Sequence, residues 1–401
     1  MRTRRDKAPQ ADWPKVRLGT LGQIIRGNGI KRSETTDKGL PCLRYGEIYT
    51  SYNVILNRPR SFVSKEVFDR SLHISKGDLV FTLTGETEDE IAKTLAYLGD
   101  DEIAAGGDLA VWKNHGCDPK FLSYLMYTPD LIKAKALASN GQIIVHISVK
   151  KFQEIEIPLP PLSVQREIVA RLEKELASVD RMVKGFEAMK AEADQLFKAE
   201  LKEAFEDIKR RGAETRRLGE IGQVVTGSTP SKAKKEYYGG DIPFFKPSDL
   251  DAGYSVEKSV DTLTVAGYEN GRKLPAGSVL VTCIGATLGK TGIIRVNGSC
   301  NQQINAIVPD SVASEYLYYW LISPSFQTAI WLESNSTTLP IVNKTTFSSL
   351  EIPVPPLTTQ REIVTKLDAV REKCAKLKSA AEEGLKTAAL LRKAILKEAF
   401  L

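Results

Sequence analysis

The sequence predicts an α+β protein: two similar globular domains separated by two long helices that form an antiparallel coiled coil. Three observations carry that prediction. Residues 157–173 (IPLPPLSVQREIVARLE) return as residues 352–368 (IPVPPLTTQREIVTKLD) with 11 of 17 positions identical, so the 401-residue chain is a tandem duplication. Each copy of that segment opens a proline-free stretch in which apolar residues recur at alternating three- and four-residue steps. The residues ahead of each copy mix short apolar runs with turn signals, as expected of a compact domain containing strands.

Taken in order, residues 1–14 (MRTRRDKAPQADWP) read as a flexible basic arm. Residues 15–157 form the first domain, with a β-like run at 79–83, turns at Gly27-Asn28-Gly29, Asn57-Arg58-Pro59 and Gly106-Gly107, and a helix over 120–140. Residues 158–212 begin with a proline brace, where fixed φ and missing amide hydrogens stop regular pairing. Ser163 is placed to cap the helix that follows, and Glu167 puts negative charge in its first turn. The apolar seam runs through Ile168, Leu172, Val179, Met182, Phe186, Met189, Ala193 and Leu196, with a polar interruption at Glu175.

Residues 213–352 form the second domain. Arg17-Leu18-Gly19, Gly22-Gln23 and Gly27 recur there as Arg217-Leu218-Gly219, Gly222-Gln223 and Gly227, with a β-like run at 279–284 and a helix over 314–333. Residues 353–401 repeat brace and helix: Thr358 is a candidate cap and Thr359 with Glu362 has capping-box spacing. Its seam is Ile363, Leu367, Val370, Cys374, Leu377, Ala381, Gly384, Ala388, Leu391 and Ile395. Each helix runs ~44 residues, about 66 Å, longer than either domain can bury. The first leads away from its domain and the second can return, so an antiparallel pair is the simplest closure. Two independent helices serving separate partners are the alternative.

A net charge of +6 with 26% charged residues leans only weakly towards a polyanionic partner. The five cysteines are widely spaced without a CxxC pair, and His115 with Cys117 lacks further ligands at metal spacing, so buried thiols and no metal are expected. The basic N-terminus is not followed by the apolar region of a secretory signal. No run approaches the ~20 apolar residues of a membrane span. The expected location is cytoplasmic, with no membrane partner. The GATLGKT run at 285–291 resembles a phosphate loop but is one residue short and continues into strand-like Gly292-Ile293-Ile294 rather than a helix. It reads as a β-turn, and the first domain carries an acidic GETEDEIAKT there.

Two divergent domains, each followed by IPxPPLxxQREIVxxL opening a long helix, resemble the specificity subunit of a type I restriction-modification enzyme, over essentially the whole chain. The resemblance implies a non-catalytic subunit whose two target recognition domains each read one short half-site of double-stranded DNA in the major groove. The helices then act as a conserved spacer, and at ~3.4 Å per base-pair step the half-sites lie no more than about twenty base pairs apart. Docked DNA methyltransferase (modification) subunits, two of them, and restriction-translocase subunits are implied as partners. S-adenosylmethionine, ATP and Mg would belong to those partners, with no cofactor in this chain. A duplicated partner needs a duplicated surface, which makes Pro160, Pro161, Gln165, Arg166, Pro355, Pro356, Gln360 and Arg361 the docking candidates. Alternatively the prolines only brace the helix starts.

Phosphate positioning needs Lys and Arg, and base reading needs paired donors and acceptors. Loops supply Lys31, Arg32, Arg44, Tyr45, Arg58 and Arg60 in the first domain, and Lys232, Lys234, Lys235, Lys246, Ser248 and Arg272 in the second. Arg44 and Lys246 stand out because Leu40-Pro41-Cys42-Leu43 and Ile242-Pro243-Phe244-Phe245 each place a cation after an apolar run. Asn301-Gln302-Gln303 is suited to adenine edges or equally to framework. The reading from another class is a non-enzymatic coiled-coil scaffold joining two protein-binding domains. Salt-sensitive DNA affinity separates the two.

Overall fold

The computed structural model describes residues 13–141, 144–334 and 339–400, so most of the expected N-terminal arm lies outside the described residues. The chain divides into two compact units, Met1–Gly185 with Glu383–Leu401, and Phe186–Glu382.

In the first unit the strand Leu79–Thr82 organises the domain. It pairs antiparallel with Leu109–Lys113 and with Thr94–Tyr97, in a sheet completed by Gln23–Arg26 and Ile55–Leu56. Successive strand side chains point to opposite faces. Val80, Leu95, Leu109 and Val111 therefore meet Leu43, Ile74 and Ile103 of a second sheet, while Leu79, Phe81, Ala110 and Trp112 meet the helices. Burial on both faces is why the run is apolar throughout rather than alternating. The second sheet orders Thr35–Thr36, Ser61–Val63, Leu40–Leu43, Ile103–Ala105 and Leu72–Ile74.

The second unit repeats the plan. Val279–Thr282 lies between Ile304–Pro309 and Thr291–Ile293, with Gly222–Thr226 on the edge, and a smaller sheet joins Asp261–Leu263, Tyr238–Phe245 and Ser299–Cys300. Leu280, Ile304 and Ala306 face Phe245 and Cys300, whereas Val279 and Val281 face the helices. One duplicated glycine explains itself. A Cβ on Gly27 would stand 2.2 Å from the Gly106 carbonyl, and one on Gly227 would stand 2.1 Å from that of Asn301.

Each domain closes its own ends. Lys15–Arg17 pairs antiparallel with Glu156–Pro158, and Glu214–Arg217 with Glu351–Val354, so the chain leaves each domain beside the point of entry. The helices expected over 120–140 and 314–333 are each two: Pro119–Leu125 with Pro129–Ala138, and Ser314–Leu321 with Pro324–Leu332. Thr128 and Ser323, the residues before the interrupting prolines, adopt extended ψ of 148° and 149°, because a following proline disfavours the helical region.

Two long helices follow the braces: α1, Leu162–Arg210, 49 residues, and α2, Leu357–Ala399, 43 residues. Both start two residues earlier than they would if Ser163 and Thr358 were their caps. The first helical carbonyls belong to Pro161 and Pro356, which accept from Gln165 and Gln360 backbone N–H at 3.0 Å each. In the first unit Leu172, Leu176 and Val179 of α1 share a core with Ala388, Ile395, Leu396 and Ala399 of α2, and Arg392 pairs with Asp180 at 2.7 Å. In the second, Leu201, Phe205 and Ile208 share a core with Leu367, and ion pairs join Glu200 to Lys366 at 2.8 Å, Asp194 to Lys378, and Lys190 to Glu382 at 2.8 Å. The numbers rise on one helix as they fall on the other, so the helices are antiparallel there. Met182, Leu196 and Leu391, expected in the seam, are 41%, 38% and 40% exposed. A straight helix of 3.6 residues per turn drifts ~20° per heptad from a strict seven-residue repeat, and the contact passes to Leu176 and Leu201. All five cysteines are free, and four of them, Cys42, Cys283, Cys300 and Cys374, are buried.

Candidate nucleic-acid interface

The site is built where Leu40–Leu43 and Tyr238–Phe245 end. Cys42-Leu43 runs parallel to Ala104-Ala105, and Phe244-Phe245 runs parallel to Ser299-Cys300. Just past the strand, the Arg44 backbone N–H donates to Glu47 Oε2 at 2.8 Å, and that of Lys246 donates to Asp249 Oδ2 at 2.7 Å. Each carboxylate sits in the first turn of a short helix, Tyr45–Thr50 or Asp249–Ala252, where the free amides and the helix dipole favour it. Glu47 is largely buried and also accepts from the Ser61 hydroxyl at 2.6 Å. The cap sets the direction in which the chain, and with it the cationic side chain, leaves the strand. Glu47 and Asp249 were not among the sequence candidates. The signal for them was the spacing of a carboxylate three residues after the cation, present in both halves.

The two matched cations differ in what surrounds them. Arg44 is half-buried, and its Nε is enclosed by the protein without an acceptor among the described residues. Lys246, by contrast, forms an ion pair with Asp261, one strand away. Tyr45, half-buried beside Arg44, stands with its ring 5.2 Å from that of Tyr49. Burial, reinforced by the carboxylates of Glu86, Asp108 and Glu90, holds its phenol above the usual range, so it is a neutral donor. Tyr49 is anchored, lying 2.8 Å from Thr82 Oγ1 and donating to the Thr84 carbonyl at 2.9 Å.

The remaining candidates divide between the two ends of the sheets that hold Leu40–Leu43 and Tyr238–Phe245. Arg58 and Arg60, both exposed, precede Ser61, which pairs with Cys42, so they share the end from which Arg44 emerges. Ser248 is exposed beside Lys246, and exposed Arg272 precedes Leu274, whose bridge to Gly298 brings it to that same end of the second domain. Lys31 and Arg32, exposed, lead into Thr35, which pairs with Val63 at the opposite end. Lys232, Lys234 and Lys235 occupy the matching place before Tyr238, and Lys234 donates to the Tyr237 hydroxyl at 3.0 Å, which holds its ammonium pKa above the ordinary value. Asn301 is buried and donates from Nδ2 to Gln303 Oε1 at 2.8 Å, a framework arrangement. The 285–291 run is a turn: Leu288 N–H donates to the Gly285 carbonyl at 3.0 Å, and Thr291–Ile293 that follows is a strand.

The brace residues separate into two sets. Gln165 is 3% exposed; its Oε1 accepts from Asp118 N–H at 2.8 Å and its Nε2 donates to the Pro160 carbonyl at 2.8 Å. Gln360 is 1% exposed; its Oε1 accepts from Ala313 N–H at 3.0 Å and its Nε2 donates to the Pro355 carbonyl at 2.9 Å. Asp118 and Ala313 are the N-cap residues of the matching helices Pro119–Leu125 and Ser314–Leu321. Both glutamines, expected as docking residues, are therefore pins that tie each domain to its own brace, and their prolines Pro160 and Pro355 are buried. Pro161, Arg166, Pro356 and Arg361 are exposed in both copies.

A family profile described as the type I restriction modification DNA specificity domain matches residues 10–180 and 211–387. The specificity subunit of the type I restriction enzyme HindI of Haemophilus influenzae is 39% identical over 158 residues, 38% of this chain and 33% of that subunit, so the alignment spans about a third of the relative's length. The EcoKI specificity subunit of Escherichia coli K12 is 22% identical over 98% of this chain and 89% of its own. Among solved structures, a chain from work on complex assembly and conformational transition of the type I R-M system superposes with a TM-score of 0.77 at 22% identity, covering 99% of both chains, which speaks for the fold alone.

Proposed function

The chain belongs to the specificity subunits of type I restriction-modification systems, and we propose that it reads a bipartite, asymmetric DNA site, one half-site per domain, without catalysing a reaction itself. The observation that supports this most is the duplicated strand end. In two domains whose exposed residues differ almost freely, a cation follows the same parallel strand pair and its backbone N–H meets the same carboxylate cap three residues on. Conserved positioning with divergent side chains is what two readers tuned to different targets require. Arg44, half-buried at the strand end with its enclosed Nε unpaired among the described residues, is the leading candidate for a base or phosphate contact, made through the outer nitrogens of its guanidinium. Arg58, Arg60 and Tyr45 share its end of the sheet, as Ser248 and Arg272 share that of Lys246, and Lys31, Arg32, Lys232, Lys234 and Lys235 are assigned to flanking phosphates.

The methyltransferase subunits are assigned to the exposed part of the duplicated brace, Pro161 and Arg166 in one copy and Pro356 and Arg361 in the other. Two equivalent surfaces accommodate two copies of one partner. Restriction-translocase subunits would join that assembly, and S-adenosylmethionine, ATP and Mg would act on the partner chains. The test is to co-express this chain with its methyltransferase subunit in a host free of other methylation and to map modified bases. An interrupted, asymmetric motif that disappears when this chain is omitted is expected. Soluble, associated proteins that leave no motif would overturn the reading and favour a scaffold.

A further inference from the structure

The two halves fill the angle between domain and helix differently. In the second unit Tyr254 occupies it, with the Arg371 guanidinium of α2 4.0 Å from its ring centroid and the rings of Tyr318 and Tyr319 at 5.4 and 5.6 Å. Its hydroxyl donates to Asp368 Oδ2 at 3.0 Å, and Tyr319 donates to the other oxygen at 2.6 Å. The preceding residue, Gly253, accepts from Ile293 N–H at 2.9 Å. In the first unit the ladder position that accepts from Ala96 N–H, at 3.0 Å, is Val54, and no aromatic side chain follows it. The duplication keeps Tyr124 where Tyr319 stands and puts Leu176 where Arg371 stands.

The ring is missing and its space is not. A cavity of about 100 Å³ lies there, lined by Asn53, Val54, Tyr124, Tyr127, Leu176, Arg392 and Leu396. Arg392 comes from α2, held by Asp180 at 2.7 Å, so a guanidinium is again at hand although the opposite helix supplies it. Tyr127 is anchored by donating to the Thr94 carbonyl at 2.8 Å.

We propose that this cavity is a binding site for one uncharged monocyclic aromatic group, a benzene or phenol ring, seated as Tyr254 is seated in the other half. A closed apolar cavity of ~150 Å³ holds benzene; this one, at about 100 Å³, is smaller but partly open, so a ring sits in it against Val54, Leu176 and Leu396 with one edge outside. Two tyrosine rings offer edge or offset contacts, and a guanidinium attracts a ring face. No carboxylate lines the space, so a cationic ligand has no counter-charge there. The ring has two possible sources, a free small aromatic or the side chain of a bound partner. The inference is independent of which bases the domains read.

The test uses the full chain with methyl-labelled Val and Leu, titrated with phenol and followed by NMR. Val54, Leu176 and Leu396 methyls should shift together with a Kd of about 1 mM or tighter. Val54→Trp, which fills the space, should weaken binding at least tenfold; if that variant does not fold, Leu176→Phe serves instead. Tyr254→Ala should open the counterpart space and raise the stoichiometry from one phenol to two. Repeating the titration with the methyltransferase subunit bound distinguishes the sources: retained phenol binding indicates a small molecule, and displacement indicates a ring from the partner. Absence of shifts at up to about 10 mM phenol, or an unaltered Kd in the filled variant, overturns the proposal.

Discussion

Replacing Gln360 with alanine removes both hydrogen bonds by which the second domain is pinned to its brace, and the loss can be worked from the structure. The Pro355 carbonyl would be left buried without its donor, and the Ala313 amide, partly buried, without its acceptor. An unsatisfied buried group costs about 1–3 kcal/mol, taken as about 2 for the fully enclosed Pro355 carbonyl and about 1 for Ala313, which water reaches more easily. The sum is about 3 kcal/mol. For a domain of this size 1 kcal/mol moves Tm by ~2–4 °C, so a fall of about 6–12 °C in the transition of the second domain is expected. Differential scanning calorimetry of the full chain measures it, with exposed Arg361→Ala as the control, expected within ~0.5 kcal/mol of the parent. A Gln360→Ala fall of under about 2 °C, or one matched by Arg361→Ala, would refute the assignment of Gln360 as a pin. Gln165→Ala should lower the first domain's transition by a similar amount, because its two bonds are equivalent.

Other outcomes follow from the same geometry. Arg44→Ala should weaken DNA binding and, if the contact is to phosphate, lower the log–log salt slope by about 0.9; Lys246→Ala should do less because Asp261 already neutralises it, and equal effects in a salt-titrated binding assay would contradict this. Arg166→Glu with Arg361→Glu should abolish co-purification of the methyltransferase subunit with Tm unchanged, and retained co-purification would remove the brace as its docking surface. Lys135 is buried, donates to the Ala92 carbonyl at 3.1 Å, and is pushed down to about 7 by burial. Its unfolded form binds a proton that the folded form releases, so stability should rise with pH above about 7 towards the ordinary lysine range, and Lys135→Met should raise Tm at pH 7 with a gain that shrinks towards pH 10. Gly227→Ala should cost at least ~2 kcal/mol by urea unfolding, since its Cβ would overlap the backbone of Asn301 and Cys300.

The legible parts of this protein are those written locally or written twice. The repeat of IPxPPLxxQREIVxxL located both braces, and the proline-free apolar stretches after them gave two helices of nearly the expected length. The strands at 79–82 and 279–282 were visible as apolar runs because both of their faces are covered. Pro129 and Pro324, in plain sight, divide helices that the apolar pattern alone presented as continuous. The seam was misplaced at Met182 and Leu196 because a seven-residue count ignores the drift of a straight helix against its partner.

What the residues determined by themselves is the plan: two copies of one domain, a stiff proline exit from each, two long amphipathic helices, and cations at matched strand ends. These depend on spacing and on backbone preference, which act over a few residues. Only the tertiary structure decided which of those groups are free to act. Gln165 and Gln360 turn inward because their partners, Asp118 and Ala313, arrive from 47 residues away. Lys246 is neutralised by Asp261 across a strand pair while Arg44 keeps an unmatched Nε. Tyr254 fills a space that stays open beside Val54. Burial, pairing and vacancy are properties of side chains brought together by distant segments, and no local pattern encodes them.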